Sequence, residues 1–263
     1  MSTLQAPDAA HYDSLYSSGY MAGFSDVYAY CRARTVDFAL SKLAGEIQPK
    51  TILDIGCGRG RYSSLLRRHF PGAQITGVDF STTAIAQAAS AYPDMRFFVG
   101  SAEDMSFIPS GSIDLILNIE VLEHVADVRS TVSEFARVLR VGGHLLLTTP
   151  CANRFSFEWW ENILIRGGLQ PTPDGFRRFA TDPEEHVRRL TSHELSQSMS
   201  SVGIHTKITY FRAHLFTRPC ALAHRIFPGL LHPLARIAYL DWQLFKTLPN
   251  GATMVSVGVK TES

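Results

Sequence analysis

The sequence predicts an α/β fold in which helices cover both faces of a seven-stranded, mostly parallel sheet. Three observations carry this reading. Five short apolar runs, at 51–55, 74–79, 96–100, 113–118 and 144–149, alternate with helix-compatible stretches, the rhythm of βαβ units in a parallel sheet. Helix-start and helix-stop residues stand where several of those stretches begin and end. Two later β-prone runs, 206–211 and 253–259, complete the sheet.

Ser81 is placed to cap a helix over 82–92, and Asp127 a helix running to Arg140, because each side chain offers an oxygen to the unpaired N–H groups of a first turn. In the second helix Val128, Val132, Phe135 and Leu139 share one face, and Gly142 and Gly143 supply a stop. Thr191-Ser-His-Glu194 reads as a capping box ahead of Leu195, Met199 and Val202, with Gly203 ending that helix. The expected organisation is an N-terminal helical cap or lid over 1–48 and one domain over 49–263, with substrate-side insertions at about 151–190 and 213–250. Ligands of open α/β sheets bind beyond the carboxyl ends of the strands, where such insertions shape the pocket.

Lysines and arginines number 25 against 24 acids, a formal net charge of +1 with both signs scattered, so no general attraction to a nucleic-acid backbone is expected. Cys31, Cys57, Cys151 and Cys220 lie far apart without a CxxC pair. That argues against a zinc knuckle or disulfide framework and for reduced thiols in the cytoplasm. The N-terminus lacks the basic-then-apolar segment of a secretory signal. Residues 213–245 are apolar but interrupted by Pro219, Pro228 and Pro233 and by Arg218, Arg225 and Arg236, so no transmembrane segment is expected. Peripheral contact with a lipid surface stays open, and nothing sets an oligomeric state.

The chemistry concentrates after the first strand. Ile52-Leu-Asp-Ile-Gly-Cys-Gly-Arg-Gly60 puts glycines at 56, 58 and 60 between an apolar run and a helix, where the backbone must turn tightly and admit a ligand. The spacing is GxGxG, unlike the GxGxxG of a dinucleotide fingerprint. Asp79 ends the second run, where a carboxylate accepts hydrogen bonds from both hydroxyls of a ribose lying across the adjacent strand tip. Phe80 is in position to pack on an adenine face, and Gly100-Ser-Ala-Glu-Asp-Met-Ser-Phe107 supplies groups for the adenine edge.

Together the segments ILDIGCGRGRYSSLL, ITGVDFS, GSAEDMSF, SIDLILNIEVLEHV and FARVLRVGGHLLLTTP, from about residue 50 to 150, resemble the class I S-adenosyl-L-methionine (SAM)-dependent methyltransferases, in particular the small-molecule enzymes among them. The resemblance implies a Rossmann-like sheet with helical and loop cap insertions, SAM as cofactor and S-adenosyl-L-homocysteine as its product. It implies that Gly56, Gly58 and Gly60 pass under the methionine part of SAM and that Asp79 holds the ribose. Asp54 would support the loop, Ala102 and Glu103 would border the adenine with Phe80, and Asn118 would belong to the same site. Many relatives carry an acid where this chain has Ser101, whose hydroxyl can still accept a hydrogen bond.

Transfer from a sulfonium needs donor and acceptor in line, so positioning supplies much of the catalysis and a base serves only an acceptor that loses a proton. After the fourth run the chain reads Asn118-Ile-Glu-Val-Leu-Glu-His124, without the (Asp/Asn)-Pro-Pro-aromatic element of enzymes that methylate base amino groups. A small-molecule acceptor, most simply a hydroxyl oxygen, is expected. His124 is the first candidate base and His186 the second, since imidazole titrates near neutrality. A divalent metal shared by Glu120, Glu123 and His124, as in the similar ExxEH segment of some quinone O-methyltransferases, is the less favoured alternative, and no metal ligand is assigned. Two other readings stand beside this one: a lipid-linked or prenylated quinone-like acceptor met at a membrane surface, and a non-catalytic SAM-binding regulatory protein. Phe155, Trp159 and Trp160 are candidates for an acceptor wall, and Tyr12, Tyr16 and Tyr20, four apart, for one face of a lid helix.

Overall fold

The computed structural model describes residues 6–19, 26–165, 167–183 and 185–261. In chain order they form α1 (Ala9–Ser17), α2 (Val27–Ala44), β1 (Thr51–Ile55), α3 (Arg61–His69), β2 (Gln74–Asp79), α4 (Thr82–Ala91), β3 (Arg96–Val99), β4 (Ile113–Ile119), α5 (Val128–Val138) and β5 (Leu139–Pro150). There follow α6 (Phe157–Ile165), β6 (Leu169–Pro171), β7 (Arg177–Phe179), α7 (Ser192–Ser200), β8 (Ile204–Arg212), α8 (Thr217–Ile226), a 3₁₀ turn (Pro228–Leu230), α9 (Leu231–Phe245) and β9 (Thr253–Lys260). Tyr20 lies outside the described residues.

Seven strands make one sheet in the order β3-β2-β1-β4-β5-β9-β8, parallel from β3 to β5 and antiparallel where β9 joins β5 and β8. The expected α/β architecture is the one the chain builds. β6 and β7 form a separate antiparallel ribbon.

Alternation along the strands loads both faces of the sheet. Leu53 and Ile55 of β1 and Ile116 of β4 share a buried cluster with Val132 and Phe135 of α5 and Met199 of α7. Ile52, Leu115 and Leu117 point the other way, to Leu40 and Leu43 of α2, Leu66 of α3 and Trp242 of α9. Each large apolar side chain buried this way contributes roughly 1.5–3 kcal/mol relative to exposure, enough to hold a helical layer on each face. The register pairs Ile55 with Val78 and with Asn118, so the loops leaving β1, β2 and β4 converge at one edge.

The caps act as read: Ser81 accepts from the Ala84 N–H, Asp127 from the Arg129 N–H, and Thr191 and Glu194 close a capping box. One boundary differs. The helix expected to reach Arg140 stops at Val138, and β5 begins at once with Leu139 paired to Ile113. Gly142, with φ 77°, therefore sits inside a strand instead of ending a helix. The early stop is satisfied from β9, where the Lys260 ammonium donates to the carbonyls of Ala136 (2.7 Å) and Leu139 (2.8 Å). Among the described residues no helix is long and apolar enough to cross a membrane, and all four cysteines are free and buried.

Candidate active site

After β1 the backbone turns through Gly56 and Gly58, both left-handed at φ 72° and 51°. Space demands glycine here as well. A Cβ on Gly56 would lie 2.2 Å from Val121 Cγ2, and one on Gly58 2.7 Å from the Tyr16 hydroxyl oxygen. The Gly56 and Cys57 N–H groups donate to the Val78 carbonyl at 2.8 and 3.1 Å, tying the bend to β2, and Gly60 opens α3. Asp54 lies buried beneath the bend and accepts from Ser63 Oγ at 2.6 Å, joining β1 to α3; burial pushes its carboxyl up to about 7.

Asp79 is buried at the end of β2. Its Oδ2 accepts the Gly58 N–H and its Oδ1 the Ser81 N–H, each at 2.9 Å. Burial raises its pKa, and the N–H donors work against that rise. Each oxygen keeps one further acceptor site, which is what a pair of vicinal hydroxyls requires.

The helix α1 closes this edge. Tyr12 and Tyr16 face inward over a cavity of about 140 Å³, bordered by Gly56, Asp79, Phe80, Ser101, Ala102 and Glu103 on one side and by Glu120, Val121 and His124 on the other. Phe80 packs on Tyr12 with ring centroids 5.0 Å apart. A smaller cavity of about 50 Å³ beyond Tyr16 is bordered by Gly58, Arg32, Arg59 and Tyr62. Asp13 of α1 accepts from Ser81 Oγ (2.6 Å), Thr82 Oγ1 (2.8 Å) and the Thr83 N–H (2.9 Å), so α1 is fastened to the start of α4. These bonds, Ser81 foremost, hold the Asp13 carboxyl down to about 2.

Of the expected adenine neighbours, Ser101 Oγ accepts from the Glu103 N–H (3.1 Å), and the Glu103 carboxylate accepts from the Asp127 N–H (2.6 Å), fastening the entry to α5. Asn118, fully buried at the end of β4, does not itself border the cavity that its neighbour Ile119 lines; its Nδ2 donates to the Ile55 carbonyl (3.3 Å), and its Oδ1 has no partner among the described residues. Phe155, Trp159 and Trp160 do not border this cavity. Trp159 and Trp160 meet edge-on at 4.8 Å, and Phe155 faces a surface groove with His193 and Asn250.

Beyond β4 lies a cluster of acids and imidazoles. Glu120 adopts a left-handed φ of 55° and accepts from Thr148 Oγ1 (2.7 Å) and Arg212 Nη2 (3.3 Å), while Arg32 Nη1 stands 3.3 Å from its other oxygen. Burial opposes the charge, yet Arg212 and Arg32 prevail and hold the carboxyl down to about 2. Glu123 is fully buried; burial first and the Glu120 charge second push it up to about 8. Its Oε2 accepts from Thr149 Oγ1 at 2.9 Å, and its Oε1 has no partner among the described residues.

His124 Nδ1 lies 2.7 Å from the Glu185 carbonyl, which can only accept, so Nδ1 carries the proton and Nε2 the lone pair. Burial lowers the His124 pKa, and burial together with His124 lowers that of His186 to about 3. The rings pack at 4.9 Å, bringing together two histidines that lie 62 positions apart in the chain. The metal trio weighed from the sequence needs correction: Glu120 is committed to two arginines, and the atoms that converge within 4.8 Å belong to Glu123, His124 and His186. With Glu123 and both imidazoles neutral, the 3.9 Å approach of Glu123 Oε1 to His124 Nε2 is no ion pair.

The methyltransferase-domain family matches residues 53–147. The ubiquinone biosynthesis O-methyltransferase of Cupriavidus pinatubonensis is 31% identical over 182 residues, covering 62% of this chain and 72% of that protein. The chain belongs to the class I SAM-dependent methyltransferases. A Mycobacterium tuberculosis protein described as a probable S-adenosylmethionine-dependent methyltransferase is 34% identical over 117 residues, 44% of this chain, and the match spans only 41% of that relative's length. In fold, the chain is similar to geranyl diphosphate C-methyltransferase from Streptomyces coelicolor A3(2), solved with Mg²⁺, geranyl diphosphate and S-adenosyl-L-homocysteine (TM-score 0.59, 18% identity, 87% of this chain and 79% of that one).

The residues present fit the family's cofactor. A bend that a Cβ would fill and a carboxylate with one open acceptor site on each oxygen are what a nucleoside carrying an amino-acid tail needs. Sequence reasoning missed Asp13, Arg32 and Arg212. Arg212 offered the one usable signal, a cation closing an otherwise β-prone run; Arg32 and Asp13 sit in ordinary amphipathic helices, and only the fold brings them to the site.

Proposed function

We propose that this methyltransferase moves the methyl group of SAM to an oxygen of a small molecule, most simply a hydroxyl. The observation that carries the proposal is one cavity beneath α1 that is bordered by Gly56 and Asp79 at one side and by His124 at the other. SAM supplies its methyl on a positively charged sulfur, an electrophile that needs no further activation. Asp79 accepts the ribose hydroxyls, with Gly56 and Gly58 under the methionine part and Asp54 and Gly60 holding the bend. Phe80, Ser101, Ala102 and Glu103 border the adenine, and Asn118 supports the floor. Tyr12 and Tyr16 exclude water over the reacting atoms.

His124 is the base. Its Nδ1–H is spent on the Glu185 carbonyl, and its lowered pKa keeps Nε2 unprotonated near neutrality and free to take the acceptor proton. His186 backs the ring, and the ionised Glu120 favours the imidazolium that forms. A second reading has its own support: Glu123, His124 and His186 converge closely enough to hold a divalent cation that would polarise the acceptor oxygen. We also propose a cytoplasmic location, which the unpaired cysteines support.

The test is purified protein with labelled SAM and a panel of phenols, quinols, sugars and amines. Transfer to hydroxyl acceptors, lost in His124→Gln, is the expected result. Binding of SAM without transfer to any acceptor in a broad extract would make the chain a SAM-binding regulatory protein instead.

A further inference from the structure

The segment between β8 and β9 folds into a helical hairpin with apolar residues on two opposite sides. Inward, Cys220 and Ala221 of α8 and Ala238 of α9 pack with Val27 and Cys31 of α2, while Trp242 joins the main core. Outward, Ile237, Leu240 and Leu244, at helical spacings of three and four, form a second apolar stripe on α9, with Leu244 65% exposed. At the tip all six residues from 225 to 230 are exposed, among them Ile226 (70%), Phe227 (58%) and Leu230 (49%). A water-facing helix hairpin gains nothing from such a surface; contiguous exposed apolar side chains mark a contact.

Charge identifies the contact. Residues 213–250 hold Arg218, Arg225, Arg236 and Lys246 against a single acid, Asp241, so this segment carries more positive charge than the whole chain's +1. Asp241 is fully buried and accepts the N–H groups of His214 (2.7 Å) and Leu215 (3.0 Å), and Arg218 is engaged by Glu161 (2.8 Å). Arg225 and Arg236 remain exposed, with no ion pair among the described residues. A second copy of the chain is a poor occupant, because a twofold contact would set these arginines against themselves with no exposed acid in the hairpin to answer them. An anionic bilayer answers both features, with acyl depth for Ile226, Phe227 and Leu230 and phosphates for Arg225 and Arg236.

The hairpin also points the right way. α9 runs beside α2 in the same direction: the Cys31 thiol donates to the Ala235 carbonyl (3.9 Å), Arg34 lies over the Tyr239 ring (5.2 Å), and Phe38 meets Trp242 (5.7 Å). The start of α2 is the end at which Arg32 reaches Glu120, beyond the carboxyl end of β4. The tip preceding α9 therefore lies toward the same edge of the sheet as the cavity. We infer that the α8–α9 tip seats the protein on an anionic membrane surface, with Ile226, Phe227 and Leu230 inserted and Arg225 and Arg236 on the headgroups, and with the active-site edge turned toward the lipid. The inference rests on the hairpin surface and holds whichever oxygen is methylated.

The test is co-sedimentation of the full chain with vesicles of phosphatidylcholine alone or mixed equally with phosphatidylglycerol, at low salt. Two cations near an anionic surface predict binding to the mixed vesicles stronger by roughly thirtyfold, falling as salt rises. The double variant Ile226→Asp, Phe227→Asp should lose binding to both. Arg225→Glu with Arg236→Glu should lose only the preference for the anionic vesicles. S-adenosyl-L-homocysteine affinity, measured on every variant, reports folding and the cofactor site independently of lipid. Parent protein that stays in the supernatant, or a tip variant that folds and sediments like the parent, overturns the inference. So does a parent dimer in light scattering that the tip variant abolishes, which would make the face a contact between copies.

Discussion

Replacing Asp79 with alanine should weaken S-adenosyl-L-homocysteine binding at least about a hundredfold, and the number follows from counting acceptor sites. Each carboxylate oxygen already takes one backbone N–H, from Gly58 or Ser81, at 2.9 Å, leaving one site per oxygen for the two ribose hydroxyls. A hydrogen bond to a charged group contributes about 1.5–3 kcal/mol net, so losing two costs about 3 kcal/mol or more, or two decades in Kd. Asparagine should not rescue the loss. Its amide NH₂ must face the Gly58 or the Ser81 N–H, donor against donor, and the bend that depends on both relaxes. The assay is isothermal titration calorimetry, with thermal melting of the unliganded variant to show that the sheet is intact. A folded Asp79→Ala protein with a Kd within threefold of the parent would refute the ribose assignment and the count behind it.

Four other outcomes are expected. His124→Gln should lower kcat by about 10²–10⁴ while leaving S-adenosyl-L-homocysteine affinity nearly unchanged, as loss of a general base does, and unaltered turnover would remove that role. Prolonged dialysis against a chelator should leave turnover intact; loss restored by a divalent cation would favour the Glu123, His124 and His186 metal reading. Glu123 is held up to about 8 in the folded chain against an ordinary 4.5, so its stabilising protonation is complete below 4.5 and is lost as pH rises through about 8. Melting curves between about pH 6.5 and 8, in which histidine titration is common to parent and variant, should show Glu123→Gln removing a fall of about 1.4 kcal/mol per pH unit, and parallel curves would sink the assignment. Asp13→Ala should speed release of S-adenosyl-L-homocysteine several-fold in stopped flow, because α1 loses its three bonds to residues 81–83; an unchanged off-rate would mean the lid is held elsewhere.

The arrangement of the glycine bend and Asp79 was legible because it is local. Within residues 51–103, strand alternation, a glycine bend and a strand-ending acid each have a short-range signature, and parallel pairing then brings Gly58 to Asp79 with little freedom left. The one boundary misread, the end of α5, failed because Gly142 and Gly143 look like a helix stop, whereas the stop is made by Lys260, 122 residues beyond Val138. The cluster of acids and imidazoles beyond β4 follows the same pattern. His124 and His186 could be suspected singly, yet their packing depends on the Glu185 carbonyl and on the Val187 N–H bonded to the Glu123 carbonyl at 2.9 Å. Aromatic content misled, since Phe155, Trp159 and Trp160 pack among themselves away from the cavity.

That division has a physical consequence for how the site tolerates change. The glycine bend is tied to β2 by backbone hydrogen bonds from Gly56 and Cys57 to Val78 and by the Asp79 carboxylate, so altering it strains the joint between β1 and β2. Glu120, by contrast, is held at a left-handed φ by side chains from three separate elements, Arg32 of α2, Thr148 of β5 and Arg212 of β8. Arg212 is buried with its Nε and Nη1 unpartnered among the described residues, an arrangement that costs stability unless something polar meets it. Such a network can be rebuilt one side chain at a time without moving a strand. Acceptor choice in this chain is therefore expected to follow Arg32, Arg212 and the loop carrying His186, while donor binding stays with the part of the fold that the sheet itself requires.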